Sequence, residues 1–533
     1  MILAITLIAG IVFLIAYFTY GGYLSKKFNL DKRAKTPAEE LYDGIDYCPA
    51  HPAVLLGHHF ASIAGAGPIV GPIAAGGLFG WLPVYLWVVV GSVFAGGVHD
   101  FGSIVASVRH KGLSIGEVVG NWVSERAKIL FLCFTWLALI LVIAVFLQLS
   151  ADTFAQDSAV AFSGTLYIFL ALIFGLVVYR FQFSLLYSSL VAIPIVLLAV
   201  YFGKNEIIQR SFSLSMESWR IILSIYILLA SVLPVWLLLQ PRDYLASFLL
   251  YFSVIVGAIG ILLGGASFEV KLPVFTTFFP DKLTYLWPVL FVTVACGAVS
   301  GFHCMVASGT TSKQLRCETD AKVIGYGGML LEGFVAIVAL SCVMLAGSVP
   351  KEGPLVVFGE GFAKFAGLLN INPDLGKSMG LLAVNSFILT TLDTATRLAR
   401  YQLQELSRMR MDRFTATIIS VACALALVYF RTGNEPAWKL IWPIFGASNQ
   451  LVAGIALLGI MVWVAKGLKK GYLFVMIPMV FMIVTTIGAL SILGYSNFIS
   501  HRYLLVFISA TLAFLALLLI YEVAKVFRKV GRS

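Results

Sequence analysis

The sequence is poor in charge. Only 12% of its 533 residues are Asp, Glu, Lys or Arg, whereas 60% are hydrophobic, and the mean hydropathy is +0.95. This balance excludes a water-soluble domain and is typical of an all-α polytopic membrane protein. The formal net charge of +11 does not indicate nucleic-acid binding, because the basic residues lie in loops between apolar segments. The expected partners are the lipid bilayer and a small-molecule substrate, and the oligomeric state stays open.

Motifs of metal and disulfide chemistry are also missing. The seven cysteines form no CxxC motif, which argues against disulfides and against a thiolate metal site. No HExxH motif occurs, and two adjacent histidines cannot point the same way on a helix. A membrane metalloenzyme that uses His58, His59, His99, Asp100 and His303 nevertheless stays open as one function. A nutrient-sensing receptor is another, although no segment is long enough for a soluble output domain.

What is present is a series of long apolar runs. Windows of about 20 apolar residues predict fifteen membrane spans, which include a retained first helix over residues 2–22 and later spans over 285–308 and 321–347. The loops after odd-numbered spans, together with the C-terminal tail, hold more than twice as many Lys and Arg residues as the other loops. By the positive-inside rule this bias predicts a bacterial inner-membrane protein with its N-terminus outside and its C-terminus in the cytoplasm.

One predicted span, residues 51–76, should not be a continuous helix. Its sequence from His58 onward, HHFASIAGAGPIVGP, contains Gly65, Gly67, Pro68, Gly71 and Pro72. Proline removes a backbone donor and glycine lowers the cost of unwound backbone. Within hydrocarbon such a break survives only where protein or a polar cavity meets the freed groups. We therefore expect the helix to break near the middle of the bilayer and to face a ligand, as in secondary transporters; the alternative is a kink that serves packing only.

A second interrupted span is expected over residues 219–239. It carries Pro234 inside and Pro241 at its end, begins on the opposite side of the membrane, and comes five spans later. Two such spans of opposite direction are the pattern of an inverted 5+5 repeat. The predicted units are an N-terminal extra helix with a cytoplasmic loop (1–50), repeat one (51–202), repeat two (203–412) and extra C-terminal helices (413–533).

Several stretches together carry a resemblance to a known family. They are HHFASIAGAGPIVGP (58–72), VHDF (98–101), LPVWLLLQPRDYL (233–245), GAVSGFHCMVASGTTSKQL (297–315), LDTATRLARYQLQEL (392–406) and WPIFGASNQLVAG (442–454). The sequence resembles the carbon starvation protein A family, inner-membrane importers of small nutrients such as peptides and pyruvate. The resemblance implies a leucine-transporter type of fold, with one extra N-terminal and about four extra C-terminal helices. It implies proton symport for members that carry pyruvate. Larger members are longer than this chain, and Ser312 stands where many relatives have proline.

Ionisable groups within the spans are the candidates for ion coupling, because each is costly in hydrocarbon. Asp100 lies beside His99, and we expect it to accept a proton or ion in concert with His58 or His59. The alternative is a structural Asp–His pair. The fold that the sequence resembles also holds sodium with hydroxyls, so sodium coupling stays open, although Ser and Thr often bond their own helix. The candidate coupling residues are His58, His59, His99, Asp100, Ser300, His303, Ser308 and Thr311, and no cofactor is expected apart from H⁺ or Na⁺.

Three further sets complete the expected site. Asp393 and Arg397 are four residues apart on the last core span, which predicts either an internal ion pair or an inner gate. Arg242 and the adjacent Asp243 are expected to anchor their helix at the cytoplasmic interface. A carboxylate substrate would suit the free N–H groups at the broken helices. The candidate substrate-binding residues are Gly65, Ala66, Gly67, Pro68, Ile69, Val70, Gly71, Leu233, Pro234 and Trp236.

Overall fold

The chain folds almost entirely into helices, as predicted. The structure is a computed structural model that describes residues 1–44, 46–281, 283–350, 353–429, 431–432 and 435–530; for 197, 431–432, 435–441 and 527–530 it describes the backbone alone. The strands found in these ranges are a two-residue pair, β1 (Arg431–Thr432) and β2 (Glu435–Pro436), which are antiparallel. One continuous apolar core runs through the helices that surround the chain's polar sites.

The helices of the N-terminal half follow one another with short connections. They are α1 (Ile2–Phe18), α2 (Tyr20–Lys27), α3 (Pro37–Glu40), α4 (Pro52–Ile63), α5 (Gly67–Phe79), α6 (Trp81–Gly91), α7 (Gly97–Arg109), α8 (Ile115–Trp122), α9 (Glu125–Gln156), α10 (Ser158–Gly175), α11 (Leu185–Gly203), α12 (Glu206–Phe212), α13 (Met216–Val232) and α14 (Leu239–Gly264). A π-type turn, Ser92–Gly96, joins α6 to α7, and another, Leu176–Arg180, extends α10.

The second half of the chain is also built mainly of helices. Its helices are α15 (Leu286–Thr293), α16 (Gly301–Gly309), α17 (Gly328–Ala346), α18 (Pro354–Gly367), α19 (Pro373–Leu406), α20 (Arg413–Tyr429), α21 (Ala437–Lys466), α22 (Leu473–Ile499) and α23 (Tyr503–Val530). Short 3₁₀ turns at Thr311–Lys313 and Glu318–Asp320 follow α16, and the π-type turn Lys322–Gly327 leads into α17.

Each of the fifteen predicted spans coincides with helical structure. In the described residues eleven segments are long and apolar enough to cross a bilayer, and the bent pairs α4–α5 and α12–α13 bring the number to 13. The remaining two predicted spans are the shorter apolar helix α20 and the pair α15–α16. The apolar runs therefore located the spans correctly, while their internal breaks depend on finer features.

The first interruption lies where the sequence predicted it. Helix α4 ends at Ile63, α5 begins at Gly67, and the two axes differ by 41°. Pro68 occupies the first turn of α5, where its missing N–H would have had no helical partner in any case. The three-residue link keeps the span interrupted well inside its apolar run.

The second interruption lies elsewhere than expected. Helix α13 ends at Val232 and α14 begins at Leu239, so Leu233 and Pro234 belong to a connection between two separate helices. Pro241 is in the first turn of α14, a position that proline tolerates. The segment predicted as one continuous span over 285–308 is instead divided by a non-helical linker, residues 294–300, between α15 and α16.

Corresponding elements of the two halves pack against each other. The interrupted pair α4–α5 contacts the interrupted pair α15–α16, the helices with π-type turns (α6–α7 and α17) contact each other, and the long helices α9 and α19 pack side by side. Helix α14 packs on α4 and α19, and reciprocally α21 packs on α16 and α9. The short helices α13 and α20 also meet.

The tight packing of α16 on α21 generates a stability prediction. A Cβ atom at Gly301 would collide with the Asn449 carbonyl oxygen and the Val452 side chain, so Gly301→Ala forces the backbones apart. We expect a destabilisation of about 1–3 kcal/mol, the usual cost of overpacking. Thermal unfolding of the detergent-solubilised protein measures it.

Gly367→Ala is the matched control. A Cβ at Gly367 would meet no atom within 4 Å, and replacing a helical glycine at an open position is neutral or stabilises by up to about 1 kcal/mol. An unchanged melting temperature for Gly301→Ala would show that α16 and α21 are not in this close contact.

Candidate functional site

The two interruptions lie directly against each other. A Cβ at Gly71 would lie 2.5 Å from the carbonyl oxygen of Thr293, at the start of the 294–300 linker, and one at Gly67 would collide with Cys296. Only glycine allows this approach of the two chain segments. The break in one span and the linker of the other therefore form a single site.

Polar side chains from the long helices satisfy much of the exposed backbone. The Thr391 hydroxyl of α19 donates to the carbonyl of Ser62 near the end of α4, at 3.0 Å. On α21, the Gln450 amide donates to the carbonyl of Phe291 at 2.7 Å. The side-chain oxygen Oδ1 of Asn449 accepts a hydrogen bond from the backbone N–H of Phe302 at 2.7 Å. Since an unpaired backbone group costs several kcal/mol in hydrocarbon, these contacts explain why the breaks are tolerated.

Three amides at the first break are not satisfied in this way. The N–H groups of Gly65, Ala66 and Gly67 make no hydrogen bond to any described residue. They lie at the N-terminal end of α5, where the helix presents a partial positive charge. Such an end suits the carboxylate of a small ligand.

A cavity of about 140 Å³ borders both interruptions and is walled by α5, α15, α21 and α22. Gly67 lines it from the first break, Cys296 from the linker, and Trp442, Phe445 and Asn449 from α21. Of the predicted stretch Gly65–Gly71, which is buried, Gly67 is the residue that lines this cavity. Trp236 is not there: it lines a separate crevice with Cys48, Arg180 and Gln240. The structure therefore does not bring Leu233, Pro234 and Trp236 together with the first break.

The predicted Asp–His contact exists with different partners. Asp100 bonds His99 through one carboxylate oxygen (2.7 Å) and His303 through the other (2.8 Å), rather than His58 or His59. The second imidazole nitrogen of His303 lies 3.2 Å from Glu332 on α17. All four side chains are completely buried. We call this set the Asp100 cluster: His99, Asp100, His303 and Glu332.

The remaining predicted coupling residues have hydrogen-bond partners within the protein. The His59 ring lies 2.8 Å from the Thr311 hydroxyl. Ser308 donates to the carbonyl of Cys304 in its own helix, and Ser300 accepts from the Asn449 amide. Helix α16 ends at Gly309, so Ser308 lies in this helix and Thr311 in the 3₁₀ turn that follows it. In the described part of the chain no group of three or more His, Cys, Asp or Glu side chains has the geometry to hold a metal ion.

A second buried network joins four helices. The Nδ1 of His58 on α4 is 2.6 Å from Asp243 on α14, and Arg242 bonds Asp243 at 2.9 Å. The same guanidinium pairs with Asp393 on α19 and donates to the hydroxyl of Tyr226 on α13. We call this set the Arg242 network. The expectation that Arg242 and Asp243 anchor their helix at the cytoplasmic interface is therefore wrong. Both are fully buried, and the interior tolerates their charges because each is paired there.

Arg397 does not pair with Asp393 as the spacing suggested. Its guanidinium donates to the carbonyls of Ala230 and Leu233, and Arg400 donates to that of Ser231 at 2.9 Å. These are the last carbonyls of α13, where positive charge is favoured by the helix dipole. The correction has a simple cause: Arg242 reaches Asp393 directly, while α13 offers Arg397 a helix end to cap.

Asp46, in the loop before α4, faces these arginines. It lies 3.5 Å from Arg397 and 3.9 Å from Arg400 and accepts a hydrogen bond from Tyr401. Burial favours the neutral acid, but Lys313, Arg397 and Arg400 outweigh it and lower the pKa of Asp46 below its ordinary value. Because the lowered pKa belongs to the folded state, the contact contributes stability at neutral pH and loses it only as the pH falls through that pKa.

The sequence contained signals for some residues that were missed. Glu332 is a carboxylate within the predicted span 321–347 and meets the same criterion that singled out Asp100. Tyr226 and Asp46 carried no such signal, since one is an ordinary interfacial residue type and the other lies in a loop. Their roles come from contacts between residues far apart in sequence.

Comparisons with known proteins show which family and which fold this chain resembles. The family model described as carbon starvation protein CstA matches residues 1–349 and 343–489. The peptide transporter CstA of Campylobacter jejuni is 31% identical over 92% of this chain and 81% of its own length. The pyruvate/proton symporter BtsT of Escherichia coli is 33% identical over 91% and 81%. The crystal structure of MhsT in complex with L-phenylalanine is similar in fold, with a TM-score of 0.52 at 12% identity over 84% of this chain and 99% of that one.

The Arg242 network predicts a strong effect of removing its cation. Arg242→Met leaves the buried carboxylates of Asp243 and Asp393 without their partner, and we expect a loss of about 3–5 kcal/mol in stability. Thermal unfolding in detergent measures the change. The double variant Arg242→Met with Asp393→Leu should recover part of the loss, because it removes one uncompensated charge.

Arg180→Met provides the control for loss of an arginine, because Arg180 is exposed at the rim of the crevice. It should melt within a few degrees of wild type. Equal melting temperatures for Arg242→Met and Arg180→Met would contradict the buried network.

Proposed function

Because this chain belongs to the carbon starvation protein CstA family, we propose that it imports a small nutrient, pyruvate or short peptides, by cation symport with alternating access. The family is one of transporters, so the chain is a multi-pass membrane transporter and not an enzyme. Its fold is of the leucine-transporter type, as the resemblance implied. The substrate, the coupling ion and the orientation belong to the proposal.

The observation that supports import of a carboxylate is the meeting of two interrupted spans at one cavity. Free amides at Gly65–Gly67 stand at a helix N-terminus beside it. A half-helix N-terminus of this kind is how transporters receive anionic groups. The metalloenzyme and receptor alternatives offer no reason for two spans to open at the same place.

The size of the cavity favours a pyruvate-sized substrate in this conformation. At about 140 Å³ it is well below the roughly 300–1,000 Å³ of pockets that hold drug-sized ligands. Pyruvate has six non-hydrogen atoms, whereas a tripeptide would require the cavity to widen. Trp442 and Phe445 supply an apolar wall for a methyl group.

The contacts of the candidate residues favour protons over sodium. Ser308 and Thr311 already bond within the protein and lie on different elements, so they do not form a hydroxyl pair for sodium. The Asp100 cluster instead joins two imidazoles and two carboxylates, which are groups that bind and release protons.

The inverted repeats of this proposal follow the packing rather than the expected boundaries. Repeat one runs from Pro52 to Gly264 with α10–α12 as an insertion, and repeat two from Leu286 to Lys466. From the basic loops and the positive-inside rule we infer that α4 begins in the cytoplasm and α15 begins outside, in a bacterial inner membrane.

Uptake by proteoliposomes tests the proposal. Labelled pyruvate and labelled dialanine are offered under a pH gradient or a sodium gradient imposed separately. We expect accumulation of pyruvate under the pH gradient. Gly71→Ala should reduce it at least tenfold, because the added Cβ presses on the Thr293 carbonyl and separates the two interruptions.

Gly22→Ala is the control, since a Cβ there meets no atom within 4 Å. Accumulation of neither probe under either gradient would refute the proposed transport of both. Accumulation driven by sodium alone would refute proton coupling.

A further inference from the structure

Glu332 is a buried carboxylate with very little support. It lies in the first half of α17, is fully buried, and has His303 as its ion-pair partner at 3.2 Å. Neither of its oxygens makes a hydrogen bond of good geometry to a described residue. Asp100 differs, because it accepts from two imidazoles at 2.7 and 2.8 Å. Of the two carboxylates that share His303, Glu332 is the less stabilised as an anion.

The charge balance of the Asp100 cluster favours one proton beyond that on His303. With both carboxylates ionised, a protonated His303 compensates one of them, and the set stays net negative unless a further proton binds His99 or a carboxylate. An uncompensated buried charge of this kind is costly. Of the two carboxylates, Glu332 is the less stabilised as an anion and therefore binds a proton more readily than Asp100.

We propose that Glu332 carries the coupling proton. Its carboxylate binds one proton from the outer side together with the substrate, becomes a carboxylic acid, and releases the same proton to the cytoplasm when the substrate leaves. No other reactant is consumed. This inference rests on the proposed symport and assigns the step that couples the proton to it.

Glu332 is mechanically connected to the substrate cavity. Ala336, one turn further along α17, packs against Gly297 of the linker. A Cβ atom added at Gly297 would lie 2.7 Å from the Cβ atom of Ala336. The Ser92 hydroxyl donates to the carbonyl of Gly297 at 3.0 Å, and Gly333 packs on Ser92. Cys296, the neighbour of Gly297, lines the cavity. A change in the charge of Glu332 therefore acts on the linker that walls the substrate.

The titratable groups around Glu332 are few. His303 of α16, Asp100 of α7 and Cys296 of the linker act on it directly, and His59 of α4 lies in the field of His303 and Asp100. His99 bonds Asp100 on the far side, and Cys304 faces Asp100 from α16. Helices α1, α5 and α6 and the turn Ser92–Gly96, which also pack on α17, contain no Asp, Glu, Lys, Arg or His. On α14, Arg242 and Asp243 are paired in the Arg242 network, and on α18, Glu360 and Lys364 are exposed. Lys322, in the turn before α17, lies over the ring of Tyr17.

Glu332→Gln separates coupling from transport. The probe is whichever of labelled pyruvate or labelled dialanine the wild type accumulates. A one-unit pH gradient supports about tenfold accumulation for one proton per substrate. In Glu332→Gln we expect that ratio to fall to about one, because the amide cannot carry a proton, while exchange of labelled for unlabelled substrate stays within about twofold of wild type.

Glu360→Gln is the matched control, because Glu360 is an exposed carboxylate on the neighbouring α18; it should accumulate substrate as wild type does. Wild-type accumulation by Glu332→Gln would overturn the inference. So would a folded Glu332→Gln that neither accumulates nor exchanges, because the residue would then serve structure or binding.

If Glu332→Gln does not fold, Glu332→Asp decides. The shorter acid should keep accumulation but move its pH dependence, and an unmoved profile would refute the role of Glu332. The failure of the proposed function is distinct, since the wild type itself would then accumulate neither probe.

Discussion

Within a bilayer a peptide group that leaves a helix finds no water to bond, and this constraint governs the centre of the molecule. Side chains from long, unbroken helices hydrogen-bond part of the exposed backbone at both interruptions. Thr391 of α19 does so at the first, and Asn449 and Gln450 of α21 do so at the second. The broken spans therefore depend on helices far away in sequence. The first break takes its partner from the other half of the chain, whereas the second is bonded by α21 of its own half.

The two buried polar networks differ in what their chemistry allows. An arginine keeps its proton at any physiological pH, so Arg242 holds a fixed positive charge among α4, α13, α14 and α19 and acts as a brace, although its network also contains His58 and two carboxylates. The Asp100 cluster consists of imidazoles and carboxylates, whose protonation can change. It has no arginine or lysine, so its net charge is set by the protons that it binds.

The sequence predicted the architecture well because hydropathy reports on burial in lipid, residue by residue. All fifteen apolar segments became helices, and the Pro- and Gly-rich stretch after His58 is interrupted as predicted. The second interruption was misplaced for a physical reason: proline fits the start of a helix as well as a break, so Pro234 and Pro241 mark a connection. The real linker, residues 294–300, has no proline, and close contact with α5 and α21 keeps it open.

Side-chain pairs were harder to predict than helices. The spacing of Asp393 and Arg397 suggested a local pair, but in the folded chain each finds a stronger partner on another helix: Arg242 for the carboxylate and the end of α13 for the guanidinium. A spacing of four residues states only that two side chains can meet. Which of them do meet is decided by the charges that folding brings alongside, and those are not visible from one helix.

The contacts at the end of the molecule near Asp46 show how such a structure can open at low cost. Asp46 is about a quarter exposed, and its pairs with Arg397 and Arg400 are long, so water can replace them for a small loss of energy. The pairs of Arg242 are fully buried, and breaking them would strand charges in the interior. The contacts between the loop before α4 and α19 are therefore less costly to break than those of the Arg242 network. The exposure of each ion pair, more than the number of pairs, determines how much free energy is lost when it breaks.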